Sequence, residues 1–106
     1  QDATVDTILA LFATHGARFE ARTLATTAHR VAKLGARRRD FLRRDPRMAA
    51  LADACVQLTP DMDAQNFANS SWAFATARVS APRLFVAIAG AAQPRLDEFS
   101  PQNLSN

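Results

Sequence analysis

Five arginines crowd one short stretch of this chain: Arg37, Arg38, Arg39, Arg43 and Arg44. A guanidinium presents a planar fork of donors that matches a phosphate or carboxylate, and it keeps its charge at any physiological pH. Side chains of this type at this density bind anions rather than make or break bonds. The surrounding sequence extends the imbalance. From Arg18 to Arg47 ten Lys or Arg residues stand against Glu20, Asp40 and Asp45, a local balance of plus seven, while the remaining residues are net negative. Contacts from such residues give affinity for a nucleic-acid backbone without reading its sequence. A competing reading of the cluster is a solvated loop, or an arm that docks on an acidic protein surface or on ribosomal RNA.

Bond-making chemistry has little to work with. His15 and His29 lie fourteen residues apart, and no Cys or carboxylate completes a metal-ligand spacing around them. The single cysteine, Cys55, excludes an internal disulfide framework and reads as a small buried residue on a helix. Asp97 and Glu98 precede a helix start, where negative charge suits the helix dipole, and are a weak paired-acid candidate. The expectation is therefore no enzyme activity and no metal or cofactor in this segment. No apolar run is long enough to span a membrane, and no membrane insertion is expected.

The elements that must position the arginines read as helices. Ala is frequent, Tyr is absent and Gly is scarce, which favours an all-α chain of at most one domain. Apolar spacing and punctuation predict helices over 5–14, 20–34, 46–56, 63–77 and 81–92, with a truncated one from Pro101. Asp45 before Pro46, Asp63, Ser80 before Pro82 in the first turn, and Ser100 before Pro101 supply the start signals. On the wheel of the helix from Asp63, Phe67, Ala68, Ser71, Trp72, Phe74 and Ala75 share an expected buried arc. Gln65, Asn66, Asn69, Ser70, Ala73, Thr76 and Ala77 share the expected polar one. In the next helix Leu84, Phe85, Ile88, Ala91 and Ala92 form the apolar arc. Trp72 is accordingly expected in the core rather than as a stacking platform for bases.

The chain also repeats itself. DAQNFANSSWAFAT, residues 63–76, begins again at 100–106 as SPQNLSN, thirty-seven residues further on. A diverged copy lies upstream. A shift of forty-three residues puts Phe19, Leu24, His29, Val31 and Ala32 on Met62, Phe67, Trp72, Phe74 and Ala75. The shift then drops to thirty-six, matching Pro46, Arg47 and Met48 to Pro82, Arg83 and Leu84, which places a seven-residue insertion within 35–44. The expected organisation is one helical-repeat domain: 1–18 the end of a preceding unit, 19–61 a full unit with the basic insertion 35–44, 62–98 a second, and 99–106 the start of a third. Stacked helix hairpins of about thirty-seven residues make an α-solenoid. The stop at Asn106 suggests a piece of a longer array.

The residues QNFANSSWAFATARVSAPRLFVAIAGAAQPRLDEFSPQNLSN resemble the degenerate helical repeats of organellar proteins of algae and protists. The resemblance is to the octotricopeptide-repeat type and to the related leucine-rich FAST region of proteins that carry RAP domains. It rests on the repeated Q-N-hydrophobic-A/S-N element, the W-A-F-A core and the Pro-initiated second helix, and runs from about Phe19 to the end. It implies an α-solenoid that binds organellar RNA, without catalysis, in transcript processing, stability or translation, in a mitochondrion or chloroplast. The first full unit departs from the pattern, with His29 in place of Trp and an Arg-rich insertion.

A side chain identical in every unit cannot distinguish bases, so Asn66, Asn69, Asn103 and Asn106 read as structural amides near helix starts. Sequence readers should vary between units on the polar arc; Arg30 against Ala73 and Lys33 against Thr76 do so. The candidate RNA-binding residues are therefore Arg30, Lys33, Arg37, Arg38, Arg39, Arg43 and Arg44. The alternative function is a structural subunit or assembly factor of a large organellar complex, a mitochondrial ribosome or photosynthetic assembly, whose solenoid touches protein subunits.

Overall fold

The structure, a computed structural model, describes residues 2–92. Six α-helices follow one another: α1 (Asp2–His15), α2 (Ala21–Leu34), α3 (Arg39–Arg44), α4 (Pro46–Leu58), α5 (Ala64–Ala77) and α6 (Pro82–Ala92). Short 3-10 turns at Gly16–Arg18 and Thr59–Asp61 lead into α2 and α5, and no strand occurs among the described residues. The all-α expectation and its five complete helices stand. The expected helix from Pro101, the unit starting at 99, Asn103, Asn106, and the Asp97 and Glu98 pair lie outside the described residues. The segment 35–44 folds beyond expectation, since α3 forms inside it.

Local chemistry explains the helix starts. Asp45 Oδ1 accepts from the Arg47 amide at 2.9 Å, with Pro46 in the first helical position where its missing N–H costs nothing. Asp63 and Asn66 form a reciprocal box: Asn66 N–H donates to Asp63 Oδ1 at 2.8 Å, and Asp63 N–H donates to Asn66 Oδ1 at 3.2 Å. Caps of this kind contribute about 1 kcal/mol each. Asn66 is thus structural, as its recurrence in the repeat suggested. Ser80 is displaced from capping because α6 begins at Pro82 with Ala81 as its flanking residue.

The buried side of α5 is rotated from the expected arc. Phe67 and Phe74 are buried as expected, but Asn66, Ser70, Ala73 and Ala77 are buried with them. Ala68, Trp72 and Ala75 face solvent, and Ser71 is half-buried. The cause is the neighbour. α2 and α5 are the most extensively packed pair of helices, and both offer small residues: Ala25, Ala28 and Ala32 on one, Ser70, Ala73 and Ala77 on the other, none more than 1% exposed. Small side chains let helix axes approach closely, and that gain outweighs the weak apolar signal of the face they occupy. In α6, Leu84 is buried and Ile88, Ala91 and Ala92 are half-buried, whereas Phe85 is exposed against expectation.

The other contacts extend two layers. α4 packs on α6 and on α2, while α1 closes over α2 and α4 with Val5, Leu9 and Phe12 in the shared core. An ionic clamp joins α1 to the start of α4. The Arg47 guanidinium lies 2.8 Å from Asp6 and 2.7 Å from Asp45. The hydrogen bond from Arg47 holds the Asp45 carboxyl below the usual aspartate range, against the opposing effect of burial. Cys55 is fully buried, as expected, and burial pushes its thiol up to about 12, with Ser70 partly offsetting the rise.

Candidate nucleic-acid interface

The geometry of the arginine cluster starts from Gly35. Its amide donates to the Val31 carbonyl at 2.8 Å and ends α2. A Cβ at this position would meet Leu42 Cδ1 at 2.8 Å, so the glycine is what lets Leu42 fold back against the end of α2. Leu42 is fully buried, and that single anchor turns the arginines of α3 to the outside. Two further contacts fix the segment. The Arg38 guanidinium sits over the Phe41 ring, 5.5 Å from its centroid. Arg39 Nε donates to the Thr76 carbonyl at 3.0 Å, in the last turn of α5 where carbonyls lack helical partners and the dipole is negative.

These contacts leave an open concavity of about 980 Å³ lined by Arg37, Arg38, Arg39, Arg44 and Arg47, with Ala36, Asp40, Phe41, Asp45 and Pro46 completing the wall. Its two carboxylates are already engaged: Asp40 pairs with Arg43 at 2.7 Å and Asp45 with Arg47. Arg37 and Arg44 make no hydrogen bond or ion pair with another described residue. A concave wall of guanidiniums with its own acids neutralised is suited to a polyanion, whose oxygens would meet several fixed donors at once. Among the described residues no group of His, Cys, Asp and Glu could hold a metal ion, and no helix is long and apolar enough to cross a membrane.

The structure divides the candidate residues. Arg37, Arg38, Arg39 and Arg44 come together in the concavity, whereas Arg43 is outside its lining and paired with Asp40. Arg30 lines a separate groove of about 470 Å³ between α1 and α2, beside Ile8, Leu11 and Thr27. Lys33 is exposed in the last turn of α2. The contrast of Arg30 with Ala73 as two polar-arc positions does not hold, because Ala73 is buried against α2.

Two residues of the surface escaped the sequence reading. Arg47, counted in the basic stretch but not among the candidate RNA-binding residues, joins the concavity; the signal available is its place in the Asp45-Pro46-Arg47 cap. The core position expected for Trp72 does not hold: it is 44% exposed. Its indole lies against the imidazole of His29, with ring centroids 4.7 Å apart and planes inclined by 33°. His29 at the matching position was the signal, since a histidine tolerates a half-exposed site that tryptophan can share. The chain matches no protein-family model, no curated protein and no solved structure.

Proposed function

We propose that this chain is part of an α-solenoid that binds single-stranded RNA through the basic surface of α2 and α3. The observation that carries the reading is the gathering of Arg37, Arg38, Arg39 and Arg44 around one concavity whose acids are already paired with Arg43 and Arg47. Packing supports the solenoid. First helices of successive hairpins, α2 and α5, lie together, as do second helices, α4 and α6. His29 and Trp72, related by the forty-three-residue shift, meet at that junction. The resemblance to organellar helical repeats extends the proposal to transcript processing, stability or translation in a mitochondrion or chloroplast, with the protein holding RNA rather than cutting it.

A second reading has its own observation. Leu11 on α1 and Phe85 and Val86 on α6 are exposed, with Val86 at 73%, and exposed apolar side chains on the outer helices suit contact with other protein units. In that reading the chain is a structural subunit or assembly factor of a large organellar complex. Crosslinking in cells followed by sequencing of recovered RNA separates the two. Enrichment of defined transcripts supports the first; background RNA with stable co-purification of protein subunits supports the second.

A further inference from the structure

The His29 and Trp72 rings add a feature that the arginines do not supply. We infer that the outer face of Trp72 is a stacking site for a base of single-stranded RNA whose phosphates continue onto Lys33 and Arg39; this rests on the RNA reading above. Trp72 exposes 44% of its surface on the solvent side of α5, across the helix from the buried Phe67 and Phe74. His29, on α2, lies against it at 4.7 Å between centroids, and 44% of the tryptophan remains exposed. An aromatic ring that is already positioned binds a base without the entropic cost of ordering a free side chain.

The rings are also placed for a strand. Lys33 follows His29 by four residues on α2 and Thr76 follows Trp72 by four on α5, so each is one helical turn further along the same face. Lys33 is exposed, and the Thr76 carbonyl is the one held by Arg39. An aromatic surface thus leads, within a turn, to two cations and then to the arginine concavity. Alternation of a stacking ring with cations is the arrangement by which proteins hold unpaired strands, because every base has a π-face and every linkage a negative charge. A protein partner would find the apolar part of this surface attractive but would have to neutralise Lys33 and the arginines as well.

The chain makes the test direct, since Trp72 is its single tryptophan and it has no tyrosine. Indole emission therefore reports on this site. A fluorescently labelled oligouridylate is titrated with the protein at low salt, following label anisotropy for binding and indole emission for stacking. The expected result is quenching that saturates together with anisotropy, an affinity about tenfold lower for Trp72→Leu, and recovery of most of that loss in Trp72→Phe. Binding seen by anisotropy with unchanged emission, and equal affinity for Trp72→Leu, would overturn the stacking site while leaving RNA binding by the arginines intact. Absence of any anisotropy change would remove the RNA reading and the stacking site with it. Emission that shifts with protein concentration and not with oligouridylate would assign the face to a second copy of the chain.

Discussion

Arg39 Nε and the main-chain carbonyl of Thr76 are 3.0 Å apart, so a side chain of the basic segment completes the last turn of α5. The contact spans thirty-seven residues of sequence. It makes Arg39 a residue of the fold as much as of the anion-binding surface, and it ties the position of α3 to the end of the helix that carries Trp72.

Arg39→Ala removes that hydrogen bond at an exposed helix end, where water replaces part of it. The expected loss is about 0.5–1 kcal/mol in urea unfolding followed by circular dichroism. Arg39→Lys keeps the charge without the Nε geometry, and it is expected to recover RNA affinity more completely than stability.

Gly35 controls the same segment from its other end. A methyl group there meets Leu42 Cδ1 at 2.8 Å and the Val31 carbonyl at 2.9 Å, so in Gly35→Ala the Leu42 side chain and the end of α2 must both shift. Stability should fall by about 1–3 kcal/mol. Because Leu42 orients α3, the variant should also bind RNA more weakly, and anisotropy on the folded fraction measures that second effect.

The helices themselves were readable because their signals are local. Asp45 with Pro46 and Asp63 with Asn66 announce starts that the structure places within a few residues. The buried face of α5 was not readable in the same way. Ser70, Ala73 and Ala77 carry little hydrophobic signal, and their burial depends on Ala25, Ala28 and Ala32 of a distant helix. α3 was missed because six residues with only Phe41 and Leu42 apolar are too short for periodicity to register. The arginine cluster stood out by composition, but which of its members share a concavity depends on Gly35, Leu42 and Thr76.

Asp45 gives the fold a pH-dependent contribution. Its carboxyl titrates below the ordinary value of about 3.9 because Arg47 donates to it. The folded value is depressed, so the stabilisation is fully present above the unfolded value and is lost as pH falls through the folded one. Asp45→Asn keeps an acceptor for the cap but loses the charge; its unfolding midpoint should lie below wild type at neutral pH and converge with it under strong acid. Asp45→Ala, which also loses the cap, should be about 1 kcal/mol less stable than Asp45→Asn at neutral pH.

Cys55 should be inert in the native protein. Burial pushes its thiol up to about 12, so almost no thiolate forms near neutral pH and no reagent reaches it without opening of the fold. A chromogenic disulfide reagent should label the chain slowly in buffer and fully in urea. Fast stoichiometric labelling of folded protein would show that the packing of α4 against α2 and α6 is looser than described.

The central claim, that the basic surface holds an RNA backbone, is tested most directly by the salt dependence of binding to a labelled single-stranded RNA. Wild type is compared with Arg37→Ala/Arg44→Ala and with Arg83→Ala, a charge control on α6 whose partner is Asp53. The expected result is affinity that falls steeply with salt, a log-log slope reduced by roughly 1–2 in the double variant, and little change in the control. Absence of saturable binding at low salt, or equal slopes for wild type and the double variant, would contradict the account.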